Sequence, residues 1–419
     1  MSMGRRVGFG LLAALVVAGV GGGVVLLNYH GTSTGGRVEK ALAAGRPSKP
    51  HRRAVHSSTP PKELTVCGVP VPSTAAIQQS TFAVQTSASI NPTSPTDFSS
   101  CAFRLSVLNL KGEGADEVTL VVPYQQDGDT TSLIEAGPIT PSQASLVSAI
   151  QFVRSLGMRV MLNFHDDLAN GSWRAFVNAS DRSTWFANYG AILDHLGVIG
   201  EQEGVSEICI GTELYDMTST NANPGNGPAW LQMIANLRRF YKGDLTYGGQ
   251  RPGAYENETT SLSFWPEMSQ IGIDAYYPLG TTCDPTVASM VSEWEQINTE
   301  YFEPLIAKYH KPILFTELGF SSVNCDNLNT AYFGNGGYYP GNGLYDGTVQ
   351  ANLFEALFET FAPDKNFAGI SVWFWYSTPA ASYPGDLSYS TYRKPAGDVI
   401  KKWFDLLDQR TPSQGEAGA

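Results

Sequence analysis

Two glutamates occupy positions where a carboxyl has to be explained. Glu213 lies in the run EICIGTELYD and Glu317 in the run ILFTELGFSS, each where an apolar, β-branched stretch gives way to polar loop residues. A buried charge lacking its partner costs roughly 3 to 5 kcal/mol, so a carboxylate at a strand end points to a strand that opens into a site. Two carboxyls, one protonated and one ionised, are what cleavage of a glycosidic bond needs: a proton for the leaving oxygen, and an attacking group or a base for water. Each glutamate alone would more simply be a salt-bridge partner. Their shared Thr-Glu-Leu context weakens that simpler account.

Something must hold two such strand ends side by side, and the chain supplies a regular alternation of strand and helix patterns. Thr81 to Gln85 is the first expected strand, with a helix over Phe98 to Lys111, and Glu117 to Pro123 (EVTLVVP) is the second. Thr140-Pro141-Ser142-Gln143 predicts a capping box with proline at the first helical position, and Leu146, Val147, Ile150 and Val153 give the apolar stripe of the helix that follows. Further strands are expected at Arg159–Phe164, Glu207–Thr212, 245–249, Ile271–Tyr276, Ile313–Thr316 and Gly369–Trp375, with helices over 183–203, 228–241, 287–309, 348–361 and 396–407. Eight strands, each followed by a helical pattern, predict an α/β fold of the (β/α)₈ TIM barrel type over residues 65–410. A doubly wound open sheet would want a glycine-rich phosphate loop after an early strand, and none is present.

In such a barrel the working residues come from the carboxyl ends of the strands. Those ends supply Asn163, His165, Asp166, Thr212, Glu213, Asp274, Tyr276, Tyr277, Thr316, Glu317, Trp373, Trp375 and Tyr376. His165 with Asp166 and Asp167 suggests a metal cluster, but no second histidine stands at ligand spacing, so hydrogen bonding to sugar hydroxyls is the better account. No G-x-S-x-G elbow accompanies the serines, which argues against an esterase. No cofactor is required by any of this chemistry.

Composition sets the surroundings. The 419 residues are 42 % apolar and 11 % aromatic, enough for a large core. The net charge of −12 is uneven: residues 1–63 hold nine Lys/Arg and two acids, and residues 64–419 hold 18 and 37. The acidic main part excludes nucleic acid as an expected partner. Val7 to Tyr29 carries no charge, follows Arg5 and Arg6, and can cross a hydrocarbon core of about 30 Å, so residues 1–30 are expected to be a transmembrane signal anchor, or else a cleaved signal peptide. Residues 31–64 form a flexible, basic, Pro/Ser/Gly-rich linker and 411–419 a disordered tail. The expected location is the outer face of the cell membrane, or the exterior if the segment is cut. Five cysteines fit an oxidising compartment. Cys283 and Cys325 follow successive strands and Cys67 and Cys101 flank the first, which suggests those two pairs among three connectivities. Cys209, inside an apolar strand, is expected to be a free buried thiol.

The runs VTLVVPYQQD, TPSQASLVSAIQFVRSLGMRVMLNFHDD, GSWRAFV, ICIGTELYDM, IGIDAYYPL, ILFTELGFSS and SVWFWY, in that order and spacing over about residues 77–405, resemble glycoside hydrolase family 113, a clan A family of retaining β-mannanases. The resemblance implies Glu213 as general acid/base, Glu317 as nucleophile and a polysaccharide, most simply a β-1,4-mannan, as substrate. It also implies Tyr276 as hydrogen-bond partner of the nucleophile, Trp375 as floor of the sugar subsite, and Trp173, Arg174 and His165 as matches to family positions. Many clan members carry Asn before the acid/base to hold the sugar 2-hydroxyl; here Thr212 stands in that place. Two other accounts remain open: a barrel that binds glycan without turnover, and a glycosidase for xylan, β-glucan or a cell-envelope glycan. The aromatic, glycine-rich loop from Phe320 to Gly347 would shape the cleft or cover the barrel rim.

Overall fold

A strand that is covered on both faces has no polar side to show, and runs such as VTLVV are covered from inside the barrel and by helices outside. The computed structural model of the chain describes residues 65–70, 84–221, 223–253, 257–331 and 343–408. Eight parallel strands close on one another: β1 (Gln85–Asn91), β2 (Glu117–Gln126), β3 (Arg159–Leu168), β4 (Glu207–Thr212), β5 (Asp244–Gln250), β6 (Ile271–Asp274), β7 (Ile313–Leu318) and β8 (Phe367–Tyr376), with β8 paired back to β1. The chain is therefore a TIM barrel. The expected anchor, linker and C-terminal tail lie outside the described residues. Among the described residues no helix is long and apolar enough to cross a membrane.

Three local expectations need correction. The first strand runs Gln85–Asn91, later than expected, because its inward serines find hydroxyl partners on neighbouring strands. The helix after β2 starts at Gln143 with Ser142 as its cap, whose Oγ accepts from Ser145 N; Thr140 instead donates to the Pro123 carbonyl. The helix expected over 287–309 is Val287–Ile297, a π turn at Asn298–Phe302 and a second helix at Glu303–Tyr309.

Barrel interiors are usually filled by branched aliphatic side chains. This one is largely polar. At its amino end Gln85 donates to Glu117, Arg159 lies 3.2 Å from Asp116 and 3.5 Å from Glu117, and Gln270 donates to Glu207 at 2.7 Å. Burial first raises Glu117 to about 7, against the pull of Arg159, and burial followed by the charge of Glu117 raises Glu207 to about 8. Above them Ser87, Thr119, Ser371 and Ser89 form a chain of hydroxyls with contacts of 2.8 to 2.9 Å. Met161, Cys209 and Leu314 make an apolar layer.

Outside the strands, Trp185, Tyr189, Trp230, Tyr247 and Phe264 pack ring against ring between barrel and helices. Cys67 is bonded to Cys101 and Cys283 to Cys325, while Cys209 is a buried free thiol.

Candidate active site

Both glutamates reach the barrel mouth next to a break in strand register. Between β4 and β5 the pairing shifts between Cys209 and Thr212, and between β6 and β7 it shifts so that Asp274 pairs with Glu317 and skips Thr316. Such irregularities re-aim side chains that strict alternation would send outward.

Glu317 lies near the end of β7 and is 4 % exposed. Its Oε2 accepts from the Tyr276 hydroxyl at 3.4 Å, and its Oε1 lies 3.1 Å from His165 Nε2, bent away from hydrogen-bond geometry. Arg174 Nη2 contacts His165 Nδ1 at 3.1 Å, and because a guanidinium only donates, the imidazole proton belongs on Nε2, toward Glu317. Burial, then the Arg174 charge, pushes His165 down to about 3, so the ring is neutral. Burial raises the Glu317 carboxyl above its usual range; Arg174 opposes this and the charge of Glu213 adds to it.

Glu213 follows β4 in a left-handed backbone conformation, φ 52°, which for a residue with a Cβ costs roughly 1 to 2 kcal/mol. Three groups hold it there. Glu213 N–H donates to Gly248 O at 2.8 Å, Leu214 N–H donates to Tyr247 Oη at 2.7 Å, and Tyr247 in turn donates to the buried Glu258 at 2.7 Å. The turn leaves the Glu213 side chain 16 % exposed, with Trp173 Nε1 donating to Oε2 at 2.7 Å and Arg174 Nη1 at 3.8 Å from the same oxygen.

Arg174 thus stands between the two carboxyls. It is aimed by Asp167, which accepts from Nε at 3.1 Å and Nη2 at 2.7 Å. Burial disfavours the Asp167 charge, but Arg174 and then His165 bring the carboxyl below its ordinary value. Trp373 completes the set, stacked with His165 at 6.0 Å between centroids and 15° between planes. It comes this close because Gly319 has no side chain: a Cβ there would sit 1.6 Å from the Trp373 carbonyl oxygen. Among the described residues no group of three or more His, Cys, Asp or Glu side chains is placed to hold a metal ion.

The model of glycoside hydrolase family 113 matches residues 93–394, most of the barrel. The chain belongs to that family. Among solved structures it is similar to a family 113 β-1,4-mannanase, with 20 % identity, TM-score 0.65 and cover of 77 % of this chain and 99 % of that one. It is also similar to the family 113 β-mannanase AaManA from Alicyclobacillus acidocaldarius in complex with ManMIm, with 22 % identity, TM-score 0.66 and cover of 77 % and 98 %. At such identities the likeness establishes the fold. No curated protein matches the chain.

Within this family 113 barrel, Glu213, Glu317, His165, Trp173, Arg174, Tyr276 and Trp373 come together at the mouth. Four expected residues do not join them there. Trp375 is 3 % exposed, donates to Ser106 and packs on Tyr392 behind the strand, so Trp373 is the β8 tryptophan beside the glutamates. Pairing between β8 and β1 is irregular between Val372 and Trp375, which turns Trp375 outward. Tyr277 points into the helical layer, with its hydroxyl on Pro252 O and its ring against Trp294 and Phe302. Thr212, 1 % exposed, gives its hydroxyl to Asp274 and not to a ligand. Asn163 lies one inward position deeper than His165 on β3 and is fully buried. Sequence reasoning missed Tyr247 and Glu258, which act on Glu213 through its backbone. An acid inside an otherwise uncharged helical stretch, NETTS, was the available signal for Glu258.

Proposed function

We propose that this glycoside hydrolase cleaves a β-linked polysaccharide with retention of configuration, β-1,4-mannan being the first candidate, with Glu317 as nucleophile and Glu213 as acid/base. The observation that carries the reading is the inequality of the two carboxyls. Glu317 lies deep in the mouth against His165 and Tyr276, and Glu213 is partly open to solvent, with one indole N–H on its carboxyl and Arg174 at 3.8 Å. Retaining cleavage needs such a pair, about 5 to 5.5 Å apart, with unequal tasks.

Two nearby carboxyls in a buried site share one proton more readily than they both ionise. The reacting form is the one with that proton on Glu213 and with Glu317 as the anion; burial opposes the Glu317 anion, and Arg174 and the Tyr276 hydroxyl favour it. Glu317 forms a bond to the anomeric carbon as the glycosidic C–O bond breaks, and the Glu213 proton goes to the departing oxygen. Water then gives a proton to Glu213 while its oxygen bonds the anomeric carbon and the Glu317 ester breaks. The enzyme returns to its starting protonation. Trp373, parallel to His165, offers an apolar face for the sugar ring at this point.

Mannan is favoured over xylan or β-glucan because the similar solved structures are described as β-mannanases. The apolar run 7–29 and the linker would hold the barrel at the outer face of the membrane, and the two disulfides fit that exterior. The test is product release by the full chain from β-mannan, glucomannan, xylan and β-glucan, beside Glu213→Gln and Glu317→Ala. Cleavage of one polymer, lost in both variants and giving the β-anomer first by NMR, is the expected result. Turnover that survives Glu317→Ala defeats the assignment, and binding without cleavage favours a silent glycan-binding barrel.

A further inference from the structure

The two Thr-Glu-Leu runs meet beneath the site. Thr212, just before Glu213, donates its hydroxyl to Asp274 Oδ2, and Thr316, just before Glu317, donates to Asp274 Oδ1 at 2.8 Å. Asp274 ends β6, is 1 % exposed, and makes both contacts inside the barrel. Thr316 faces inward in step with Leu314, and the register shift after Cys209 brings Thr212 inward as well. A second observation comes from β5, which runs between β4 and β6. A Cβ on Gly248 would lie 2.7 Å from Thr212 Oγ1 and 2.9 Å from Asp274 Oδ1, so the missing side chain is the space through which the two residues reach each other.

We propose that Asp274 is a positioning residue, a clasp that joins the ends of β4 and β7 through Thr212 and Thr316 and so fixes the separation of Glu213 and Glu317. The proposal rests on Glu213 and Glu317 being the reacting pair. An apolar contact here would let the strands slide, because dispersion has little directionality. Two hydroxyls on the two oxygens of one carboxyl define two distances at once. A buried carboxyl is costly, and hydrogen bonds from both threonines offset that cost. Asp274 is level with Glu317 in strand register, but its two carboxyl oxygens are taken by the threonines, and it has no role as a sugar contact in this scheme. Its effect belongs in kcat, since misplacement of reacting groups by about 1 Å costs about 100-fold.

The experiment measures kcat, KM and thermal midpoint for the full chain on oligosaccharides of the polymer it cleaves. Asp274→Ala, and Thr212→Val combined with Thr316→Val, are expected to lower kcat about 100-fold with KM within about threefold. Asp274→Asn keeps an accepting oxygen for one threonine and an N–H for the other, and is expected to recover most of the lost kcat. Gly248→Ala removes no hydrogen-bonding group yet is expected to lower kcat by crowding the clasp. If Asp274→Ala does not fold, the shape-preserving threonine pair decides the question. Wild-type kcat in the threonine pair overturns the proposal, as does a loss in every variant that tracks the thermal midpoint with no recovery by Asn. Glu213→Gln and Glu317→Ala run alongside: turnover in those two defeats the catalytic reading, whereas their silence with active clasp variants defeats the clasp alone.

Discussion

The Thr-Glu-Leu sequence occurs at 212–214 and at 316–318, and the backbone handles the two copies differently. In the first copy the strand has ended: Glu213 takes a left-handed conformation held by Gly248 O and Tyr247 Oη, and its carboxyl reaches partly into solvent against Trp173. In the second copy the strand continues, Glu317 stays extended within β7, and its carboxyl is buried between His165 and Tyr276. Identical local chemistry therefore yields two unlike carboxyls because strand length sets depth. A proton donor that must exchange with water belongs at the rim, and an attacking oxygen that must not wander belongs in the wall.

The strongest way to break that contrast is to remove each carboxyl in turn. Glu317→Ala should lose about 10⁴-fold or more in kcat on polymer and on aryl glycosides alike. Glu213→Gln should lose about 10² to 10⁴-fold on polymer, yet keep the first half-reaction on an aryl glycoside whose leaving group needs no proton. Equal losses on the aryl substrate, read by burst kinetics, would erase the difference between the two sites. A smaller effect sharpens it: Trp173→Phe removes the indole donor to Glu213 and should lower kcat about tenfold while leaving the rate of aryl-glycoside bond cleavage in the first step nearly unchanged.

The pH dependence separates the two copies next. Arg174 stabilises the Glu317 anion, so Arg174→Gln should raise the Glu317 pKa and move the acid limb of kcat/KM to higher pH. A limb that stays put or moves down would show that the guanidinium serves some other group.

The smallest effect concerns the amino end of the barrel, which has no part in the reaction. Glu117 and Glu207 bind protons more tightly folded than unfolded, with values of about 7 and about 8 against 4.5. Their contribution to stability is complete below the unfolded value and disappears as pH rises through those folded values. His165, neutral when folded at about 3, works in the opposite sense below 6.5. Between pH 6.5 and 8 the thermal midpoint should therefore fall, with Asp166, Glu258 and Asp326, whose carboxyls burial also raises, adding to the decline, and Glu207→Gln should make it shallower. A midpoint that rises over that range, measured by calorimetry, contradicts the assignment.

The barrel was legible because its strands are short apolar runs such as EVTLVV and ILFT, separated by helical stripes and turn residues, and each pattern reports burial directly. The two glutamates stood out for the same reason, as charges at the end of runs that exclude charge. The cysteine pairs followed from their positions at strand ends. Illegible were the facts that depend on where a strand skips a residue. Alternation gives no ground for preferring Trp375 to Trp373, which share one parity on the strand, because the irregularity at Val372/Trp375 is set by the neighbouring strand. The helix cap failed similarly. Both Thr140 and Ser142 suit that role locally, and a contact with Pro123, far off in sequence, takes Thr140 away.

Cys209 carries a consequence for watching this molecule open. Four of the five cysteines are locked in disulfides, and the remaining thiol faces the closed interior with no accessible surface. A thiol reagent can reach it only when strands part, so its labelling rate under native conditions is a gauge of barrel opening that needs no substrate and no engineered residue.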